Sequence, residues 1–228
     1  MRKVVVIIPV LNEETSIGLV LNDVPKEIVD EIVVVDNGSH DRTKEVALKH
    51  GATVVEEKKK GYGHACLRGI DYASKINPIP DIIVFLDGDY SDYPQEMVNL
   101  VKPIFRGDAD LVIGSRTLGN NEKGAILPQA IVGNYIATSL IKFLYKVRFT
   151  DLGPFRAIKY NRLIELDMQD KTYGWTVEMQ VKAAKRNFKC IEVPVSYRKR
   201  IGVSKITGTF TGTIKAGYKI IWTIFKYL

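Results

Sequence analysis

The stretch that decides the fold is "DIIVFLDGDYSDYP", residues 81–94. Its first half is a continuous apolar run, the pattern of a strand covered on both faces. Its second half sets Asp87, Asp89 and Asp92 within six residues. A single acid at a strand end is a helix cap. Three acids repel one another unless a cation or a network of donors holds them. The stretch therefore predicts a buried strand ending in a charged site, then a helix with Pro94 near its first turn.

Working outward, the same strand pattern recurs in "KVVVIIPV" (3–10), "EIVVVD" (31–36), "ATVVEE" (52–57) and "ADLVIGS" (109–115). Helical spacing fills the gaps: "EETSIGLVLNDV", then "SHDRTKEVALKHG" stopping at Gly51, then "GYGHACLRGIDYASK", then "PQEMVNLVKPIF". Alternating strands and helices predict an α/β fold with a mostly parallel sheet covered on both faces. Such sheets bind ligands at the carboxyl ends of their strands, where Asp36, Asp87 and Ser115 fall. After about Gly119 the pattern changes. Residues 127–147 read as one long apolar helix; "GPFRAIK" and "CIEVPVSY" read as strands with the helix "WTVEMQVKAAKRN" between them. The last segment, "TFTGTIKAGYKIIWTIFKYL", has a broad apolar face with Tyr218, Trp222 and Tyr227, punctuated by Lys215, Lys219 and Lys226.

The 228 residues suit one large domain with a sizeable core. Lys and Arg outnumber Asp and Glu by 33 to 26, a net charge of +7 that favours anionic partners. The basic residues are spread along the chain with no nucleic-acid motif, so nucleic acid is not the expected partner. Cys66 and Cys190 form no CxxC pair, which argues against a disulfide framework or a zinc site and for a reducing interior. A strand pattern beginning by Lys3 leaves no room for a leader, and no apolar run reaches the roughly 18–20 residues of a membrane span. The expectation is a cytoplasmic chain, soluble or lying on a surface.

No G-x-G-x-x-G follows the first strand and no G-x-x-x-x-G-K-[ST] is present, which disfavours dinucleotide and P-loop sites. If phosphates bind, a metal and basic side chains must hold them. Asp87 and Asp89, straddling Gly88, offer hard oxygen ligands for Mg²⁺ or Mn²⁺; the competing reading is a turn with capping aspartates. Asp36 is placed to accept hydrogen bonds from a base or ribose, or to make a turn. Gly61 and Gly63 in "EKKKGYGHACLRG" allow close approach to a diphosphate, whereas Lys58 and Lys59 read as solvated. In "YRKRIGVSKI", Arg198, Arg200 and Lys205 surround Gly202 and Ser204, and arginine forks match phosphate oxygens. Arg116 and Arg156 are further candidates at strand ends. His40, His50 and His64 show no ligand spacing, and no nucleophile elbow occurs.

Taken in order, "IIPVLNEE", "VVDNGSHDRT", "GYGHACLRG", "FLDGDYSDYP", "VIGSR", "DLGPFRAI", "GWTVEMQ" and "VPVSYRKRIGVSKI" resemble the family 2 glycosyltransferases of GT-A fold, most of all the dolichyl (polyprenyl) phosphate glucose and mannose synthases. The motifs span almost the whole chain. The resemblance implies a single GT-A catalytic domain over 1–228. In it, 1–118 bind nucleotide and metal, 119–206 bind acceptor, and 207–228 form an amphipathic helix. It implies nucleotide contacts at Pro9, Asn12, Glu13, Asp36, Gly61, Gly63 and Asp87, with Asp87 and Asp89 as the metal-binding D-x-D. Ser91 stands where mannosyl-type members usually have glutamine, and is a third candidate ligand. The acceptor phosphate falls to Arg116, Arg156, Arg198, Arg200, Ser204 and Lys205, and the catalytic set is Asp89, Arg116, Glu178, Arg200 and Lys205. "GPFRA" in place of the usual "SGFRA" points toward a UDP-sugar rather than GDP-mannose. Many members carry transmembrane helices after this domain; none appears through Leu228.

The expected reaction is therefore metal-dependent, inverting transfer of a hexose, glucose first, from UDP to a polyprenyl phosphate. GDP-mannose as donor, a hydroxyl acceptor, and a non-catalytic nucleotide-sugar binder are the alternatives. A hydroxyl needs a base; where polysaccharide-forming members place a Glu-Asp pair, this chain has Glu178-Met179, which favours the phosphate acceptor. A lipid acceptor calls for a membrane surface, and 127–147 and 207–228 are the segments expected to lie on it. Packing of both stripes on the domain or in a homo-oligomer is the competing fate.

Overall fold

A computed structural model of the chain describes residues 2–202 and 210–228. Seven strands occur among the described residues: β1 Val4–Val10, β2 Glu31–Asp36, β3 Thr53–Glu56, β4 Ile82–Phe85, β5 Leu111–Ser115, β6 Arg156–Lys159 and β7 Cys190–Pro194. They form one sheet in the order β3-β2-β1-β4-β6-β5-β7. Six run parallel. The exception is β6, which enters antiparallel between β4 and β5. The segment expected to build an acceptor half thus supplies a central strand of the same sheet as 1–118.

The helices are α1 Ile17–Asp23, α2 Thr43–Lys49, α3 Tyr62–Ala73, α4 Met97–Arg106, α5 Pro128–Tyr145, α6 Tyr160–Leu166, α7 Trp175–Lys185 and α8 Phe210–Lys226. Seven of them lie where helical spacing predicts. The eighth, α6, has no counterpart in the sequence reading. Its seven residues bury only Leu163 and Leu166, too short a stripe to stand out.

The sheet is double-sided, which is why β1 reads as uninterrupted apolar sequence: all seven of its residues are buried. Val5, Ile7, Val33, Ile83, Phe85 and Ile113 face one layer, together with Cys66 of α3, Ile141 of α5, Trp175 of α7 and Ile224 of α8. Val4, Val6, Ile8, Val34, Val84 and Val112 face the other, against Ile17 and Leu21 of α1 and the α4 stripe of Met97, Leu100, Val101 and Ile104. Each such side chain, fully buried, contributes about 1.5–3 kcal/mol. The alternation fixes the register, because a slip of one residue would exchange the two layers. With the register fixed, the ends of β1, β2 and β4 meet on one edge of the molecule, and the acids following β4 open there.

Candidate active site

A cavity of about 320 Å³ lies at that edge. Its floor is the end of β1, Pro9 to Leu11, with Glu13 beyond; Asn37 and Lys60–Tyr62 form one wall, Asp87–Asp89 another, and Thr172, Tyr173 and Arg200 close it. Pro9, Glu13, Gly61, Asp87, Asp89 and Arg200 of the expected set therefore come together.

Asp87 receives the Tyr62 hydroxyl at 3.0 Å. Asp89 Oδ1 accepts the Ser91 N–H at 3.0 Å and the Ser91 hydroxyl at 2.5 Å. Asp89 Oδ2 lies 3.0 Å from the Arg200 guanidinium, which also reaches Glu13 Oε1 at 3.2 Å. Ser91 is fully buried and donates its hydroxyl to Asp89, which orients that carboxylate. Asp92 is also buried, and neither of its carboxylate oxygens has a hydrogen-bond partner. Burial, then the charge of Asp89, pushes Asp87 up to about 7. Burial, then Asp87 and Asp89, pushes Asp92 well above the carboxylate range. Three carboxyl groups are crowded at one strand end, and such hard oxygen donors fit a divalent cation, whose charge favours their ionised form. Among the described residues no group of three or more His, Cys, Asp and Glu is gathered to hold a metal alone.

Several expected site residues serve as framework. Asn12, at φ +54°, donates its N–H to Ser39 Oγ at 2.9 Å and accepts the His40 N–H at 2.8 Å, locking the β1 end to the loop after β2. Asp36 accepts the Ser39 N–H at 2.9 Å in the same turn and does not line the cavity. Gly61 and Gly63 are needed for close packing: a Cβ would lie 2.3 Å from the Lys171 carbonyl oxygen at Gly61, and 2.1 Å from that of Asp170 at Gly63. Gly61 lines the cavity; Gly63 faces the 170–171 loop beneath it.

Four of the expected site residues are engaged away from the cavity lining. Arg156 is fully buried, because β6 pairs between β4 and β5 and sets it opposite Phe85 and Ile113. Its guanidinium donates to the carbonyls of Thr176 (2.9 Å), Leu152 (3.3 Å) and Gly153, and burial pulls it down to about 10. It ties strand to loop. Arg198 is clamped between the rings of Tyr90 (3.3 Å) and Tyr93 (4.1 Å) and donates to the Tyr90 and Asp92 carbonyls, so it too is a strut. Arg116 has both faces of its fork on Asp151, at 2.7 Å each, and lies outside the cavity lining. Glu178 is fully buried and saturated. It accepts the backbone N–H groups of Gln169 (2.9 Å) and Asp170 (2.6 Å), the Tyr227 hydroxyl (2.7 Å) and Lys182 (2.7 Å). It anchors the loop beneath the cavity and the end of α8. Ser204 and Lys205 lie outside the described residues.

Sequence reasoning missed Asn37, Lys60, Tyr62, Thr172 and Tyr173 as lining residues. Asn37 and Tyr62 sat inside stretches already singled out. Asn37 shapes its wall by donating to the Glu57 (2.9 Å) and Lys59 (2.8 Å) carbonyls and accepting the Gly61 N–H (2.7 Å). Thr172 and Tyr173 arrive from a distant loop that carries no local signal.

The pattern described as Glycosyl transferase family 2 matches residues 5–166. The chain is 34% identical over 215 residues to an uncharacterised glycosyltransferase of Mycobacterium bovis, covering 93% of this chain and 94% of that protein. It is 34% identical over 221 residues to a dolichyl-phosphate hexose transferase of Haloferax volcanii, covering 95% and 91%. In fold it is similar to glucosyl-3-phosphoglycerate synthase of Mycobacterium tuberculosis crystallised with Mn²⁺, UDP and phosphoglyceric acid. That match has a TM-score of 0.77 and 22% identity, covering 99% of this chain and 78% of that one. The chain belongs to glycosyl transferase family 2 and is a glycosyltransferase of GT-A fold.

Proposed function

We propose that this glycosyltransferase moves a hexose, glucose first, from UDP to a polyprenyl phosphate at a membrane surface. The observation that carries the reading is the shared cavity of Asp87, Asp89, Lys60 and Arg200 at the ends of β1 and β4, where a nucleoside diphosphate meets both acids and bases. The identity to a dolichyl-phosphate hexose transferase supports the lipid acceptor. The UDP and Mn²⁺ bound by glucosyl-3-phosphoglycerate synthase support the donor and the metal.

Asp87 and Asp89 are the residues to hold Mg²⁺ or Mn²⁺. Such an ion neutralises charge on the leaving diphosphate. The chain's own residues do the rest. Tyr62 and Ser91 fix the two carboxylates. Asn37 holds the loop that brings Lys60 to the cavity, and Arg200 adds a fork suited to phosphate oxygens. The acceptor phosphate, with a second pKa of about 6, is its own nucleophile near neutral pH. Its oxygen bonds to the anomeric carbon as the bond to the diphosphate breaks, inverting that centre. No base is required, which accords with Glu178 being committed to structure.

The acceptor side is supported by α5 and α8, which pack on one another. Ile131, Val132, Tyr135 and Phe143 of α5, and Ile214, Tyr218, Trp222 and Phe225 of α8, stay exposed. Neither helix carries an acidic residue. An apolar stripe edged only by lysines suits an anionic bilayer face. No helix of the described residues is long and apolar enough to cross a membrane.

The test is transfer of label from UDP-glucose to a polyprenyl phosphate in detergent with Mn²⁺ or Mg²⁺, run beside GDP-mannose and UDP-N-acetylglucosamine. The expected product is organic-extractable and acid-labile, and Asp89→Ala abolishes it. Metal-dependent UDP binding without lipid product from any donor would refute the lipid acceptor and favour a soluble one.

A further inference from the structure

Arg200 sits where a cation belongs. Its guanidinium is 3.0 Å from Asp89 Oδ2, while Asp89 Oδ1 is already taken by the Ser91 N–H and hydroxyl. Two positive charges at one carboxylate oxygen repel strongly inside a half-buried cavity. Arg200 and a divalent cation therefore compete for Asp89.

The backbone around Arg200 is clamped on both sides. Arg198 N–H donates to the Ser91 carbonyl at 2.9 Å, and its guanidinium lies between Tyr90 and Tyr93. Lys199 N–H donates to Glu122 at 3.0 Å, and Ile201 N–H donates to the Asp89 carbonyl at 2.9 Å. The segment cannot leave Asp89 without breaking these bonds, whereas a side chain only has to rotate. The Arg200 side chain is 28% exposed, which leaves it room, and its fork already touches a second carboxylate, Glu13, at 3.2 Å.

We propose that Arg200 is the resident counter-cation of Asp89, displaced by rotation onto Glu13 when a divalent cation arrives, and that Glu13 is the positioning residue that receives it. This rests on the reading of Asp87 and Asp89 as a metal–diphosphate site. In the metal-free protein Arg200 offsets the repulsion among the acids after β4. Once displaced, its fork stands beside the cavity wall where the diphosphate enters. One arginine thereby makes the ion alone a poor ligand and the ion with nucleotide a good one.

The experiment titrates Mn²⁺ into the full chain and reads free Mn²⁺ by its paramagnetic resonance signal, with and without UDP. It compares wild type, Arg200→Gln, Glu13→Gln and Asp89→Asn, each checked for an unchanged thermal midpoint. Arg200→Gln should bind Mn²⁺ alone more tightly than wild type, on the order of tenfold, and Mn²⁺ with UDP more weakly. Glu13→Gln should bind Mn²⁺ alone more weakly, because Arg200 then has Asp89 as its remaining carboxylate in this pair. Asp89→Asn should lose both. Arg200→Gln binding Mn²⁺ alone no tighter than wild type, with Asp89→Asn still deficient, overturns the displacement and leaves the metal site standing. No Mn²⁺ binding by wild type and Arg200→Gln, with or without UDP, overturns the metal–diphosphate reading and the displacement with it.

Discussion

Glu178 and Arg156 show what a charged letter in a sequence leaves undetermined. Both lie in stretches whose family likeness implies chemistry, and both are fully buried, Glu178 among donors and Arg156 against backbone carbonyls. The Glu178 carboxylate accepts two backbone N–H groups, a hydroxyl and an ammonium, drawn from three parts of the chain. Removing one partner of a buried charge network costs about 3–5 kcal/mol, because the remaining groups stay desolvated and unpaired. Glu178→Ala is accordingly expected to lose stability of that size in urea unfolding, with Tyr227 and the Gln169–Asp170 backbone released together. A variant that unfolds like wild type yet loses transfer would return Glu178 to the catalytic set. The aspartates after β4 differ in kind: Asp92 has no hydrogen-bond partner, and Asp87 is held in a raised state by burial and by Asp89. The acid cluster was legible because its residues are contiguous. The structural duties of Glu178, Arg156 and Arg198 were not, because their partners come from remote loops.

At the level of elements, every strand and seven of the eight described helices were legible from apolar runs and helical spacing. The strand order was not. Nothing in "GPFRAIK" says that β6 inserts antiparallel between β4 and β5, because that pairing is decided by non-local contacts. Asp110 shows how the insertion is secured. Its carboxylate meets Lys159 at the end of β6 at 2.8 Å and accepts the Lys189 N–H, just before β7, at 3.1 Å. Burial works against its charged form, but Lys159, the Lys189 N–H and Arg162 outweigh burial and hold it below the ordinary carboxylate value. A depressed carboxylate contributes stability above its unfolded pKa and loses it as pH falls through the folded one. Asp110→Asn is therefore expected to cost about 1–2 kcal/mol near neutral pH. The deficit should shrink toward nothing as pH drops below about 3.9 and then below the folded value. Urea midpoints of both proteins across that range check it; a deficit independent of pH would mean the hydrogen bonds matter and the charge does not.

For the whole molecule, charge is distributed by region. The chain carries +7 overall, yet from Val193 to Leu228 it has no acidic residue at all. In the folded protein that acid-free segment ends in α8, laid against α5, which is acid-free as well. Lys142, Lys146, Lys215 and Lys226 stay exposed around the stripe, and Lys219 and Lys226 lie 4.6 and 5.3 Å from the Trp222 ring. Both helices also reach the site's supports. Asn134 of α5 holds the Thr150 carbonyl and Leu152 N–H on either side of Asp151, and Lys219 of α8 pairs with Asp170, next to the cavity loop, at 2.9 Å. A surface bound to this face would therefore sit close to the cavity, as the proposed lipid acceptor requires. Lysines near an anionic bilayer contribute about 1 kcal/mol each and are screened within about 10 Å at 0.1 M salt. The protein is thus expected to sediment with vesicles containing anionic lipid, with a blue shift of tryptophan emission, and to release as salt rises. Phe143→Ser combined with Tyr218→Ser should weaken that binding without lowering the thermal midpoint, since these side chains are 70% and 71% exposed and support no core. Equal binding to neutral and anionic vesicles would rule out the electrostatic part of the argument. Binding unaffected by the double substitution would move the contact away from α5 and α8, leaving their apolar stripe to a protein partner.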